Sequence, residues 1–273
     1  MRIKVLIPFL KDEKENVIHN LKNLIPFSQN MKVYVVGPEK IKMKRVISIV
    51  EKKRKGKSYW IKKILLKEKE GILILISGDV KVEKNFLQRS LSLMKKDVGM
   101  ICCRITPENP KNFVEKLGFL IWKVHNEVSK LQPKGGEAIV FRAGIVDRFH
   151  EKVVTDEAYI EANIARSGLK IIYQEKLLAK NKLASHISEF FSQRVRYHVG
   201  HLQTLKEMKY KVVSLKYFLL LKAVVNILKK NPHFLPLFFP LVFFETLARL
   251  YGRILFSLNI LPYKWKIARS ARG

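Results

Sequence analysis

Gln193, Arg194, Arg196 and Tyr197 share one short basic segment, Ser188 to Gly200, in a Q-x-x-R-aromatic pattern. Arginine offers a planar fork of donors to a pyrophosphate, and an amide both donates and accepts toward sugar hydroxyls. The same residues would also make an ordinary basic amphipathic helix with a solvated face. Upstream, Asp156-Glu157 follows Thr155, a candidate N-cap. That acid pair suits a general base acting on a hydroxyl, or simply complements a helix dipole. Asp79 closes an apolar run at Ser77-Gly78-Asp79. A carboxylate there can ligate a hard divalent ion together with phosphate oxygens and water, although Gly-Asp is also a common turn pair. Gly56-Lys57-Ser58 sets a lysine at a helix start, where a phosphate can bind, but lacks the Gly-rich spacing of a P-loop. His198 and His201 stand i,i+3 with no third ligand nearby, so zinc is not implied.

Positioning these residues requires an alternating scaffold. Apolar runs at Ile3 to Pro8, Lys32 to Val36, Val46 to Val50, Ile72 to Ile76, Val98 to Cys103, Glu137 to Arg142 and Lys170 to Gln174 read as strands. Helical patterns fall at about Glu13 to Leu24, Ser58 to Leu66, Asn85 to Met94, Asn112 to Leu131 and Asp156 to Arg166. The alternation predicts a layered α/β fold with a mostly parallel sheet. Such sheets bind ligands beyond the carboxyl ends of their strands, where Pro8, Gly37 and Asp79 lie. From about Ser188 only helical patterns remain.

The 273 residues carry a formal net charge of +30, which suits nucleic acid, an anionic membrane surface or phosphorylated substrates. From Lys182 onward sixteen Lys or Arg face three acids, in the most apolar part of the chain. Basic and apolar together favour a membrane surface, and no nucleic-acid motif is present. Asn231 to Phe244 is an uncharged run of fourteen residues with Pro232, Pro236 and Pro240, shorter than a spanning helix needs. Beyond it Glu245, Arg249 and Arg253 mark one polar face of an apolar helix. An in-plane or re-entrant membrane helix is the leading reading. A tilted spanning helix from about Phe234 to Phe256 and a packed soluble helical subdomain are the alternatives. Cys102-Cys103 lies in an apolar run and reads as a pair of reduced core residues of a cytoplasmic domain. The N-terminus has too short an apolar stretch, and no small-residue cleavage site, for a signal peptide.

In order and spacing these pieces resemble a family 2 glycosyltransferase with the GT-A fold, a Rossmann-like sheet flanked by helices. The resemblance covers residues 1–205, and 206–273 form a basic, apolar helical membrane-associated region. Val5 to Glu13 is similar to the family's first strand and P-x-x-N-E-E loop, with Asp12-Glu13 matching the acids. Gly56-Lys57 resembles its G-K element, although Lys62 stands where the family has asparagine. Ser77-Gly78-Asp79 resembles D-x-D, keeping only the second aspartate, and Gly136-Glu137 lies in a segment similar to G-x-x-x-x-F-R that ends at Phe141-Arg142. Thr155-Asp156-Glu157, with Gly168 downstream, resembles the T-E-D motif with its acids exchanged. Ser188 to Gly200 is similar to the Q-x-x-R-W motif of membrane-associated members, with Tyr197 in place of tryptophan.

The resemblance implies an inverting transfer of sugar from a nucleotide sugar to a lipid-linked or polysaccharide acceptor at the cytoplasmic face of the membrane. Glu157, beside Asp156, falls on the catalytic base. Pro8, Asp12, Glu13, Lys57, Asp79 and Arg196 fall on the donor side, with a divalent cation, Mg²⁺ or Mn²⁺, at Asp79. Gly136, Glu137, Gln193, Arg194 and Tyr197 fall on the acceptor channel. Two departures stand out. Val36-Gly37-Pro38 replaces the usual aspartate-bearing loop, and Ser77 replaces an acid. They leave open a second expectation, a degenerate GT-A protein that binds a sugar nucleotide or a partner without turnover.

Overall fold

A computed structural model describes residues 2–27, 31–264 and 270. Eight strands form one sheet: β1 (Ile3–Pro8), β2 (Met31–Gly37), β3 (Val46–Val50), β4 (Ile72–Ile76), β5 (Val80–Val82), β6 (Val98–Pro107), β7 (Ala138–Arg142) and β8 (Lys170–Asn181). Their order is β3-β2-β1-β4-β7-β6-β8-β5. Six strands run one way, and only β7 and β5 are reversed. The central strand β4 is Ile-Leu-Ile-Leu-Ile and wholly buried. With a side-chain period of two it must feed two cores. Ile72, Ile74 and Ile76 meet α1 (Lys14–Leu24) and α3 (Phe86–Leu93) through Leu21 and Phe86. Leu73 and Leu75 meet α2 (Lys57–Lys67) and α5 (Asp156–Arg166) through Ile61 and Ile160.

Two strand readings change. β5 escapes the apolar-run criterion because it has three residues; it is an edge strand that pairs antiparallel with the end of β8. β6 and β8 both run further than their apolar cores. Pairing stops at Cys103 with Gln174 and resumes at Arg104 with Leu178, so the charged Glu175-Lys176 is bulged out. Residues 38–45 contain no helix, which shortens the β2–β3 connection as the sequence spacing implied. Both cysteines are buried and unpaired, and the Cys103 thiol donates to the Ala138 carbonyl.

Among the described residues, α4 (Phe113–Leu131) is joined by three further helices, α6 (Ile187–Met208), α7 (Tyr217–Lys230) and α8 (Leu235–Ser257). A third core joins Leu117 and Leu120 of α4, Phe190 of α6, Ile227 of α7, and Phe238 and Leu241 of α8. The prolines fit because Pro232 lies before α8 and Pro236 in its first turn, where a missing N–H is harmless. Only Pro240 is internal to the helix. Hence the helix is longer than the fourteen-residue uncharged run suggested. Pro232–Ser257 spans 26 residues and holds an 18-residue window of mean hydropathy 1.4, long and apolar enough to cross a membrane, with 17% of that window buried.

One face of α8 lies along α6. Arg194 bonds Glu245, Glu245 also meets Arg249 at 3.6 Å, and Gly252 sits against His198. The opposite face exposes Phe239, Phe243, Leu247, Leu250 and Ile254 by 40–71%. Helix spacing makes these one continuous apolar stripe.

Candidate active site

The carboxyl ends of β1 and β4 meet the start of β7, because β7 is antiparallel and begins where β4 stops. Ser77 N–H donates to the Glu137 carbonyl at 2.9 Å and fixes that junction. Here a cleft of ≈ 490 Å³ opens, bounded further by the N-termini of α2 and α5 and by α4, α6, α7 and α8. All of the site residues expected from sequence line it except Asp12, which is exposed beside the β1 loop and lies outside the cleft. Its neighbour Glu13 is buried and accepts the Leu10 N–H at 2.7 Å, closing that loop. Gly78 lets the two strand-end loops touch: a Cβ there would lie 2.4 Å from Glu13 Oε2 and 2.8 Å from Phe9 Cα.

Lys57 is the electrostatic centre. Its Nζ lies 2.8 Å from Asp156 Oδ2 and donates to Ser77 Oγ at 3.0 Å. The Ser77 hydroxyl in turn donates to Glu137 Oε2 at 2.8 Å, and Tyr197 donates to Glu137 Oε1 at 2.8 Å. Thus Ser77 transmits a hydrogen bond from Lys57 to Glu137 where the related motif has a carboxylate. Burial disfavours the charge on Lys57, yet Asp156, Glu157 and Glu137 hold its pKa above the usual lysine value. Burial likewise opposes ionisation of Glu137, but Lys57, Tyr197 and Arg196 bring its pKa below the usual carboxylate range.

Glu157 behaves oppositely. Burial, then the adjacent Asp156 charge, push it up to about 8 against the pull of Lys57. Two adjacent acids therefore divide their roles: Asp156 pairs with Lys57, while Glu157 is poised near neutrality and half-buried in the cleft. A carboxylate so perturbed in a cleft is a candidate proton acceptor.

The Q-x-x-R-Y segment forms the first half of α6. The Arg196 guanidinium lies 4.5 Å from the Tyr197 ring centroid and Arg194 lies 5.5 Å from it, cation–π contacts that hold both arginines at the cleft. Burial lowers Arg196 to about 10, which leaves it charged at neutral pH. Gln193 and Gly136 line the same wall. Gly200 explains the end of the motif: a Cβ there would stand 2.4 Å from Thr155 Oγ1, so only glycine lets α6 approach the start of α5. Thr155 occupies the N-cap position without making a side-chain cap bond, in contrast to the sequence reading. Gly200→Ala should cost about 1–3 kcal/mol by overpacking, and Thr155→Ala should recover much of it in the double variant. Denaturant midpoints of the four proteins in that cycle give the result.

Several lining residues escaped the sequence reading. Glu51, at the end of β3, accepts from Trp60 Nε1 at 2.7 Å beside Arg54. It provides an acid near the place where the loop after β2 has none, and its position after a strand was the available signal. Lys134 lines the cleft next to Gly135, and nothing in a lysine-rich chain singles it out. The 134–137 loop is held from both sides. Gly135 N–H donates to Glu161 at 3.1 Å, and His125 Nε2, on a ring kept neutral by burial, donates to the Gly135 carbonyl at 3.1 Å.

Among the described residues no three His, Cys, Asp or Glu side chains cluster as a metal cage. After β4 the Asp79 carboxylate, a hard oxygen donor, lines the cleft. That chemistry fits an ion such as Mg²⁺ or Mn²⁺ whose remaining ligands are phosphate oxygens and water.

No protein-family model matches the chain, and no curated protein matches it in sequence. Solved structures do match in fold. The mannosyltransferase PcManGT from Pyrobaculum calidifontis, in complex with GDP-Man and Mn²⁺, superposes with a TM-score of 0.62 at 13% identity, over 94% of this chain and 87% of that one. TarS 1–349 from S. aureus gives 0.50 at 11% identity, over 97% and 90%. Glucosyl-3-phosphoglycerate synthase from Mycobacterium tuberculosis, with Mn²⁺, UDP-Glc and phosphoglyceric acid, gives 0.50 at 12%, over 76% and 80%. The chain therefore has the GT-A fold that these glycosyltransferases share.

Proposed function

We propose that the protein is an inverting glycosyltransferase that moves a sugar from a nucleotide sugar to a hydroxyl of a lipid-linked or polysaccharide acceptor. The observation that carries this reading is the placement of Glu157, Asp79 and Arg196 around one cleft at the carboxyl ends of the strands. Glu157 takes the proton of the acceptor hydroxyl. The acceptor oxygen bonds to the anomeric carbon as the bond from that carbon to the diphosphate oxygen breaks, on the opposite face of the sugar. The nucleoside diphosphate leaves with the electron pair, and Arg196 offers its donors to the growing negative charge. Asp79 would hold a divalent ion, which when bound supplies neutralising charge to the diphosphate. Gln193 and Tyr197 line the meeting point of donor and acceptor, and Glu51 with Trp60 provides polar and aromatic surface for the nucleoside.

Work at a membrane is supported by the apolar stripe of α8 and by Lys222, Lys229 and Lys230, which are exposed on α7. Because α8 is fastened lengthwise to α6, an in-plane helix at the cytoplasmic face fits better than one leaving the domain to span. A second reading, a GT-A protein that binds without turnover, is favoured by Ser77 in place of an acid. A panel of nucleotide sugars with Mg²⁺ or Mn²⁺ tests donor binding through thermal stability. A matching donor at 100 times its Kd should stabilise the fold by about 2.7 kcal/mol. If no donor stabilises the protein with either ion, the transferase reading falls; stabilisation without transfer to any acceptor selects the second reading.

A further inference from the structure

The cleft continues past the reacting groups. From Glu157 and Lys134 it runs between α4, α7 and α8, lined by Ile121, Val124, Leu220, Val224, Phe238 and Leu241. Its far rim includes Tyr217 and Val242, which are 58% and 59% exposed. They adjoin the outward apolar residues Phe218, Leu221, Phe239 and Phe243 of the same two helices. An aliphatic-walled passage thus joins the proposed membrane-facing surface to the reaction centre. Water-soluble glycans gain little from such walls, whereas an alkyl chain gains with every buried methylene.

The inner end of the passage is cationic. Lys134 makes no hydrogen bond or ion pair among the described residues, although it is half-buried and lines the cleft. Arg194 lines the same cleft, and burial, then the Arg194 charge, depress Lys134 to about 8. Glu161, an acid of that wall, is already engaged by Gly135 N–H and by Tyr210 at 2.7 Å. Arg194 keeps its pair with Glu245 through Nε, while Lys134 has no such pair among the described residues, so the Lys134 ammonium and the remaining N–H donors of Arg194 make a place for a phosphate.

We propose that the acceptor is a lipid with a phosphate-bearing, hydroxylated head group. Its chain occupies the passage between α4, α7 and α8, and its phosphate rests against Lys134 and Arg194. The head-group hydroxyl then reaches Glu157, gives up its proton there and attacks the sugar. This inference rests on the transferase reading for its reaction, but its binding site is tested without a donor.

Calorimetric titration of the full-length protein with hexyl, octyl and decyl phosphate, decanol and inorganic phosphate provides the test. Affinity should rise about three- to fourfold per methylene, the equivalent of ~0.8 kcal/mol for a buried CH₂. Decyl phosphate should bind more tightly than decanol or inorganic phosphate. Val224→Trp, which fills the passage, should weaken decyl phosphate at least tenfold while inorganic phosphate is unchanged, and Leu220→Trp provides an independent block. Lys134→Gln should narrow the preference for decyl phosphate over decanol. A cooperative thermal unfolding transition within a few degrees of wild type verifies that each variant is folded. The proposal is overturned by wild-type decyl phosphate affinity in both tryptophan variants, since binding would then be on the outer face. An unchanged phosphate preference in Lys134→Gln also overturns it. Donor stabilisation with failed alkyl phosphate binding sinks this inference alone. The reverse result leaves a lipid site standing and removes its role as acceptor site.

Discussion

Glu157→Gln should lower sugar transfer by about 10²- to 10⁴-fold, the contribution of a positioned general base, while nucleotide-sugar binding stays within a fewfold of wild type. Glutamine keeps the shape of the side chain and removes the basic lone pair, so packing against the Gly135 loop survives. The pH profile supplies a second signature. Burial and Asp156 raise the Glu157 pKa to about 8. The carboxylate form is scarce below that value and dominant above it, so wild-type kcat/KM should climb as pH rises and level off beyond about pH 8. That quantity reports the free enzyme. Residual transfer by Glu157→Gln should lack the limb. Unchanged turnover in the variant, or a wild-type profile flat from pH 6 to 9, removes Glu157 from the role of base.

The placement of Glu157 shows how far sequence could go. Strands were legible where apolar side chains fill both faces, as in Ile72 to Ile76, because such a run leaves few other ways to be buried. β5 was not, since three residues carry no period, and its partner Asn181 lies a hundred residues away in sequence. Helices α5 and α6 were legible from their patterns, and motif order singled out twelve residues that line the cleft. The connections between them were hidden. Nothing local announces that Tyr197 donates to Glu137, or that Ser77 carries a hydrogen bond from Lys57 to the same carboxylate. These contacts depend on β7 running antiparallel to β4, a feature of strand order. Asp12 was misplaced for a related reason. Adjacent acids in a loop are equivalent in a motif, but the turn buries Glu13 and exposes Asp12. The attachment of α8 along α6 was hidden as well, because the Arg194–Glu245 pair and the seat of Gly252 against His198 are tertiary contacts that the spacing of Glu245, Arg249 and Arg253 did not reveal.

Lys57→Met should destabilise the protein by about 3 kcal/mol, the lower end of the range for breaking a buried ion pair. The lower end applies because the lysine side chain keeps 27% of its exposure while Asp156 keeps 6%. Methionine preserves the stem and removes the cation from among Asp156, Glu137 and Glu157. In the wild type the raised lysine pKa contributes stability that is fully present below the unfolded value of 10.5 and fades as pH rises through the folded value. In the variant the three carboxylates face one another without that cation, so each binds its proton more tightly in the folded state. The deficit should therefore be largest at pH 9, where all three must be charged, and should shrink toward pH 5 as they are protonated. Denaturant unfolding at several pH values measures this slope. The rising limb of kcat/KM should also move above its wild-type position near pH 8, because Glu157 loses its main stabilising charge. A deficit independent of pH with an unmoved limb would assign Lys57 to packing alone. A sloping deficit with a displaced limb identifies it as the internal counter-ion that sets the working pH of Glu157, with Ser77 as its hydrogen-bonded link to the wall of the cleft.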